Sequence, residues 1–282
     1  MERSSSTDNV LPVTSVKSGS GTEITPDIYC YTNQVVNLFF IGNPEASNEW
    51  ILVDAGMPGS GKKILAEAEK RFGPDHKLKS IILTHGHFDH VGGIIDILEQ
   101  HQVPVYAHPL EFSYLKGITD YPEPDYSVEG GMVAKMSKTF PFEAIDISEH
   151  LHELPADGSL PGLPGWQWIH TPGHSEGHVS MFREESRLLI AGDAFVTVKQ
   201  DSLYKVLIQK KEIHGPPVYL TTDWRAAWES VVKLTDLKPS IAATGHGKPM
   251  HGAALAEGLV KLAENFQELA VPAHGKFVNN KN

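Results

Sequence analysis

The chain has 282 residues, with 24 lysines and arginines against 35 acidic residues and a formal net charge of -11 at pH 7. This length allows a sizeable buried core, and the acidic balance excludes a broad basic surface for nucleic acid or anionic lipid. Cys30 is the single cysteine, which excludes an intramolecular disulfide, and no run approaches the roughly 20 apolar residues of a membrane span. We therefore expect a cytoplasmic protein that binds neither membrane nor nucleic acid.

Short apolar runs alternate with helical patterns along the chain, which is typical of an α/β protein. Residues 1–20 are rich in Ser and Thr and lack the apolar core of a secretory signal, so we interpret them as a flexible leader. The pattern next predicts strands at 36–41 and 50–53, a helix at 62–72, a strand at 81–83, a helix that starts near Asp89 and a strand at 103–107.

Residues 111–164 show a weaker pattern, because aromatic residues and methionines are interspersed with Gly and Pro. We interpret this stretch as an insertion that forms a lid. Strands are predicted again at 166–169, 178–182, 188–191 and 241–244, together with a helix capped by Thr222 and a final helix between Leu255 and Leu269. One domain is thus expected over 21–270, followed by a C-terminal tail at 271–282.

Four metal-ligand side chains follow the predicted strand at 81–83: His85, His87, Asp89 and His90. A loop at the end of a buried strand can turn such side chains toward one point, and imidazole and carboxylate groups are ligands of transition metals. A capping or hydrogen-bonding role would explain any one of these histidines alone. The HxHxDH spacing of the whole group favours a metal site.

The segment THGHFDH resembles the hallmark of the metallo-β-lactamase superfamily, in which THxHxDH is followed by a single His, a single Asp and another His. The later pieces are His174 in TPGHSEGH, Asp193 in AGDAF and His246 in TGHGKP. The resemblance spans about residue 25 to residue 255. It implies an αββα sandwich with a lid-like insertion, in which loops at one edge of two packed sheets present the ligands.

The resemblance also implies the role of each ligand. The first metal position would be formed by His85, His87 and His174, the second metal position by Asp89, His90 and His246, and Asp193 would bridge the two. We expect two divalent ions, in the first place zinc, with iron or manganese as alternatives, and Asp89 and Asp193 as the catalytic carboxylates. A hydroxide between the ions would attack an ester, lactone or related acyl bond of a small molecule.

The motifs also indicate the roles of other side chains near the predicted ligands. Asp54, in ILVDAGMPG, matches the first motif of the family and is expected to orient a ligand by accepting an imidazole N–H. His178 is expected to be structural although it lies in the same motif as His174. His108, His170 and His251 are likewise expected to be surface or packing residues. Within the predicted lid, the side chains expected to contact substrate are Tyr114, Tyr121 and Tyr126.

Several alternatives remain open at this stage. Lactonases of the superfamily often carry a Tyr where this chain has Val196, so their phenol would have to come from Tyr114, Tyr121, Tyr126, Tyr204 or Tyr219. Glyoxalase II relatives carry a larger helical region after the last ligand. A mononuclear iron dioxygenase acting on persulfides, a phosphodiesterase or RNA-processing relative and a non-catalytic binding protein are the other readings. A homodimer is an alternative to a monomer, and Lys205, Lys210 and Lys211 are interpreted as a solvated basic face.

Overall fold

The computed structural model describes residues 18–128, 131–198 and 212–278. Within these residues the first seven strands form one sheet, and their order in the sheet is the same as their order in the sequence. Its strands are β1 (Ser20–Thr25), β2 (Ile28–Asn33), β3 (Val36–Ile41), β4 (Glu49–Val53), β5 (Lys77–Ile82), β6 (Val105–Ala107) and β7 (Leu151–Glu153). The pairs from β1 to β4 are antiparallel and those from β4 to β7 are parallel.

The second sheet has six strands in the order β13-β12-β11-β10-β9-β8. They are β8 (Ser159–Leu160), β9 (Leu163–His170), β10 (Val179–Arg183), β11 (Leu188–Ile190), β12 (Ile241–Ala243) and β13 (Met250–His251). Strands β11 and β12 are parallel, which requires a crossover between them.

The crossovers between parallel strands carry the main helices. On the first sheet these are α1 (Gly61–Phe72), α2 (Phe88–Val91) and α3 (Ile94–Gln100). Two short helices, α4 (Phe112–Leu115) and α5 (Gly131–Met136), lie in the long connection from β6 to β7. On the second sheet α6 (Trp224–Asp236) lies in the crossover from β11 to β12, and α7 (Ala253–Glu264) and α8 (Phe266–Leu269) follow the strand β13.

Strand β3 shows why the layers stack as they do. All of its residues are buried, and alternate side chains point to opposite faces of the sheet. Leu38 and Phe40 belong to a cluster with Ile64 of α1, whereas Phe39 belongs to a cluster with Met181 of the second sheet. A third cluster joins the other face of the second sheet to α6 and α7. The αββα sandwich predicted from the sequence is therefore confirmed.

The insertion is shorter than the predicted range of 111–164. Strands β7, β8 and the start of β9 lie inside that range and pair within the two sheets, so residues 151–164 belong to the sandwich. Strands of two or three residues are too short to produce a detectable periodic pattern, which explains the error. The irregular connection that remains runs between β6 and β7.

Three helix predictions also need correction. The residue that caps α6 is Asp223 and not Thr222, because the Asp223 side chain accepts the N–H of Ala226. The helix predicted to start near Asp89 is divided into α2 and α3 around Gly92, and the predicted final helix is divided into α7 and α8 at Asn265.

Some predictions concern residues beyond the described ranges. Most of the predicted leader, residues 1–17, and also Tyr204, Lys205, Lys210 and Lys211 lie outside them. The predicted tail is described to Val278, and within it the N–H of Lys276 donates to the carboxylate of Asp125. In the described part of the chain, no helix is both long and apolar enough to span a membrane.

Candidate metal centre

The predicted ligands follow the ends of neighbouring strands. His85 to His90 come after β5, His174 after β9, Asp193 after β11 and His246 after β12. Because parallel strands end at the same edge of a sheet, β11 and β12 deliver their following loops, which carry Asp193 and His246, to one edge of the second sheet. The structure thus brings all seven predicted ligand residues together at one edge of the sandwich.

The ligand atoms form three overlapping groups, each with all of its atoms within 4.8 Å of one another. The groups are His85, His87 and His174; His85, His90 and Asp193; and Asp89, His90 and His246. All of these residues are buried. The first and third groups match the first and second metal positions, and the middle group links them.

Asp193 lies between the two positions. One of its oxygens, Oδ2, is 3.5 Å from Nε2 of His174, 3.6 Å from Nε2 of His90 and 3.2 Å from Nε2 of His246. A single carboxylate oxygen therefore reaches imidazoles of both metal positions, which is the geometry a bridging ligand requires.

Hydrogen bonds to the outer ring nitrogens orient the histidines of the second metal position. Nδ1 of His90 donates to Oδ2 of Asp54 at 2.8 Å, and Nδ1 of His246 donates to the carbonyl oxygen of Val35 at 2.9 Å. A neutral imidazole that donates its Nδ1–H in a hydrogen bond has its lone pair on Nε2. In both residues that nitrogen points toward Asp193.

The same arrangement occurs at the first metal position. Nδ1 of His174 lies 3.2 Å from Oγ1 of Thr221, whose own proton goes to the carbonyl of Pro217. Nδ1 of His85 lies 3.0 Å from Oγ1 of Thr84, whose proton goes to Asp54. Each hydroxyl is thus an acceptor for imidazole N–H, which leaves Nε2 of both histidines with a lone pair.

Several of these atoms are buried acceptors without a hydrogen-bond partner in the described residues: Nε2 of His85 and His90 and Oδ1 of Asp89 and Asp193. Buried acceptors that meet no donor are costly, and a bound cation would satisfy their lone pairs. Nδ1 of His87 and Nε2 of His174 also lie 3.0 Å apart, facing the same point. The donor set of imidazole and carboxylate fits a zinc-type ion.

The two positions differ in their electrostatics. Burial, reinforced by the neighbouring imidazoles, holds the pKa of His85 well below its usual value, and burial lowers the pKa of His87 to about 4. For His246 burial acts in the same direction, but Asp193 and Asp89 outweigh it and raise the pKa to about 10. The first position therefore offers neutral imidazoles, whereas at the second the carboxylates of Asp89 and Asp193 make His246 basic, so a cation that binds there takes the place of the proton on Nε2.

His178 has both ring nitrogens occupied by protein groups. Nδ1 donates to the carbonyl oxygen of Thr171 at 3.1 Å, and Nε2 accepts the backbone N–H of Asp193 at 2.9 Å. Burial lowers its pKa to about 3, so the ring is neutral. His178 thereby fixes the loop that carries Asp193. His108 and His170 stack on each other at 4.3 Å, apart from this group.

The tyrosines considered as substrate contacts occupy different environments. Tyr121 is buried, and its ring lies 4.6 Å from that of His87. Tyr114 stacks on Tyr121 with 3.8 Å between the ring centroids. Tyr126 is 52% exposed and lies beside Lys138.

Tyr219 is the other tyrosine near the ligand residues. Its ring is buried and packs on Phe140, which itself packs on Phe88 beside the ligand Asp89. Burial, together with the negative charges of Asp89 and Asp193, raises the pKa of Tyr219 well above its usual value.

Four supporting residues were missed by the sequence reasoning: Asn37, Thr84, Glu111 and Thr221. Asn37 donates from Nδ2 to the carbonyls of Thr244 and Gly247, on either side of His246. A polar residue inside the apolar run VNLFFI was the signal that could have identified it. Nothing local distinguishes Glu111 and Thr221, because their partners are distant in the sequence.

Comparison with known proteins identifies the class. The model of the metallo-β-lactamase superfamily matches residues 31–246, and the chain belongs to this superfamily. The chain is 48% identical over 262 residues to a protein of Bacillus subtilis (strain 168) described as the probable metallo-hydrolase YflN, covering 93% of this chain and 99% of that protein. The superfamily expected from the sequence motifs is therefore confirmed.

Solved structures share the fold. The B3 metallo-β-lactamase BLEG-1 superimposes with a TM-score of 0.56 at 21% identity, covering 92% of this chain and 99% of that chain. TTHA1623, solved in a di-iron-bound form, gives a TM-score of 0.53 at 25% identity, covering 79% of this chain and 93% of that chain.

Proposed function

We propose that the protein is a hydrolase with two metal ions that cleaves an ester, lactone or related acyl bond of a small molecule. One observation carries the proposal: four buried histidines make hydrogen bonds to protein acceptors through Nδ1 and turn Nε2 toward one centre, around a carboxylate that reaches both metal positions. Such a polarised set is costly to bury without a cation.

Each ion would be bound by its own set of residues, with one residue shared by both. One ion would be held by His85, His87 and His174. The other ion would be held by Asp89, His90 and His246, and Asp193 would contact both ions. Two such ions, held by these residues, would supply a hydroxide nucleophile at neutral pH and polarise the bond under attack. Asp54 keeps His90 in the ligating tautomer, and His178 keeps the Asp193 loop in place.

Tyr219 is our candidate for the group that assists the leaving oxygen. Hydrolysis of an ester or lactone needs a donor for the developing alkoxide, and Val196 cannot serve. Burial and the charges of Asp89 and Asp193 raise the pKa of the Tyr219 phenol, so it remains a hydrogen-bond donor at neutral pH.

The proposed ions are zinc, with iron as the alternative that the di-iron form of TTHA1623 supports. The acidic net charge and the structural likeness to enzymes named as metallo-β-lactamases favour a small molecule over nucleic acid as the substrate.

The substrate class is tested by assaying the zinc-loaded protein on lactones, aryl esters, thioesters, β-lactams and phosphodiesters. The proposal predicts that turnover of a lactone or an ester exceeds that of the other classes and is lost in Asp193→Ala. Phosphodiester cleavage as the dominant activity would contradict it. Oxygen-dependent turnover of a persulfide would assign the protein to the dioxygenases instead.

A further inference from the structure

Glu111 is a carboxylate that the proposed chemistry does not use, yet it is fully buried. It lies at the end of a single 3-10 turn (Pro109–Glu111) that follows β6, with Pro109 at the first position and His108 as the cap. The side chain lies in the buried interior and reaches the backbone of Gly86, which separates the ligands His85 and His87. A buried carboxylate is stable there only if its oxygens are satisfied.

Both oxygens of Glu111 are saturated by donors. Oε2 accepts the backbone N–H of Gly86 at 2.9 Å and the hydroxyl of Tyr121. Oε1 accepts the hydroxyl of Ser175 at 2.7 Å and the backbone N–H of Gly177 at 2.9 Å. Two of these donors are backbone N–H groups, which can never act as acceptors, so the pattern matches an ionised carboxylate better than any neutral side chain.

The donors belong to the two loops that form the first metal position. Gly86 separates the ligands His85 and His87, and Ser175 directly follows the ligand His174. The first loop extends from the first sheet and the second from the second sheet. A single carboxylate thus ties together the two halves of the His85, His87 and His174 group.

Close packing shows that this contact is built in. A Cβ atom at Gly86 would lie 2.5 Å from the Tyr121 hydroxyl, and one at Gly177 would lie 2.7 Å from Cγ of Glu111. Both glycines therefore permit an approach that any side chain would block. The ring of Tyr121, held by the same carboxylate, packs against His87.

We propose that Glu111 is a positioning residue for the first metal position: its carboxylate sets the spacing between the His85–His87 loop and the His174 loop, and Tyr121 is its partner. The hydroxyl of Tyr121 is then committed to Glu111, and its function is to orient His87 rather than to contact substrate. This inference rests on the proposed metal centre. The residues of the second metal position make no hydrogen bond to Glu111 in the described part of the chain, so the effect is confined to one position.

The test compares zinc occupancy at the two positions in crystals equilibrated with graded concentrations of a chelator, read by anomalous scattering. In Glu111→Gln the amide nitrogen would face a donor, so we expect affinity at the first position to fall by about 10- to 100-fold with the second unchanged. The reference variant is Asn37→Ala, which removes the donors to the carbonyls of Thr244 and Gly247 on either side of His246 and should weaken the second position instead.

Two milder variants keep the inference testable if Glu111→Gln does not fold. Ser175→Ala and Tyr121→Phe each remove one donor and leave the carboxylate in place, and each should give a smaller loss confined to the first position. A general structural role would lower both occupancies together, and that result, or an unchanged first position, would overturn the inference. A wild-type protein that binds no zinc would instead reject the proposed function.

Discussion

At the residue scale, Asp54 combines an uncommon backbone conformation with a precise chemical role. Its φ of 61° lies in the left-handed region, which Asp and Asn tolerate better than most residues. From this position its carboxylate accepts the N–H and hydroxyl of Thr84 and Nδ1–H of His90. One side chain therefore supports two ligands, His90 directly and His85 through Thr84.

Asp54→Asn should keep the backbone and change the tautomer of His90. If the amide oxygen keeps the backbone N–H of Thr84, the amide nitrogen replaces Oδ2, meets Nδ1 of His90 and drives its proton to Nε2, where it blocks metal binding. The Thr84 hydroxyl loses the same acceptor, so we also expect a smaller loss at the first position through His85. We expect metal affinity at the second position to fall about 10- to 100-fold in chelator competition. Thr221→Val, which removes the partner of His174, should weaken the first position instead. Equal losses at both positions in each variant would contradict this explanation.

Tyr219→Phe tests the proposed assistance to the leaving oxygen. The variant keeps the ring that packs on Phe140 and removes only the hydroxyl, so metal content should not change. Loss of a proton donor should lower kcat by about 10²- to 10⁴-fold. Tyr106→Phe, on β6, is the matched control and should retain the wild-type rate. An unchanged kcat in Tyr219→Phe would assign the role to another group.

At the element scale, helix α6 illustrates how local chemistry and the site are connected. The loop before it contains Thr221, the partner of His174, and the backbone N–H groups of Thr222 and Asp223 both donate to the carbonyl of Gly173. The start of this helix therefore holds the His174 loop at Gly173, whereas Glu111 holds the same loop at Ser175 and Gly177.

Asp223→Ala should remove the cap of α6 and lower the free energy of unfolding by about 1 kcal/mol, measured by urea denaturation. Thr222→Ala is the control, because its backbone hydrogen bond persists and the change should stay within roughly 0.5 kcal/mol. A larger loss of unfolding free energy in Thr222→Ala than in Asp223→Ala would show that Thr222 is the cap, as the sequence predicted.

Elements with a long, regular pattern could be predicted from the sequence, whereas short ones could not. Helix α1 and strand β3 show several buried positions at helical or strand spacing, and both lie within one residue of their predicted bounds. Strands β7 and β8 have too few residues to establish a period. The same limit applies to the site: the ligand motifs are local in sequence, but Glu111 acquires its role from residues 86, 121, 175 and 177, which only the fold brings near.

At the scale of the whole molecule, the metal centre joins the two sheets. The loop after β5 belongs to the first sheet, and the loops after β9, β11 and β12 belong to the second. Because ions that bind the folded state and not the unfolded chain stabilise the fold, occupancy should be coupled to global stability.

Removal of metal should therefore lower the thermal unfolding midpoint. At a free zinc concentration about 100 times the dissociation constant, binding contributes about 2.7 kcal/mol per site to the free energy of unfolding. Scanning calorimetry with and without a chelator measures this change. In Asp193→Ala the chelator should change the unfolding midpoint little. A wild-type midpoint that is the same with and without the chelator would show that the ions do not join the sheets.

The most direct test of the central claim is the metal content of the purified, catalytically active protein, determined by elemental analysis together with anomalous scattering from crystals. We predict two ions per chain, one beside His85, His87 and His174 and one beside Asp89, His90 and His246, with hydrolysis that disappears on their removal and returns with zinc. A single iron per chain with oxygen-consuming turnover, or full hydrolytic activity without any metal, would contradict the account.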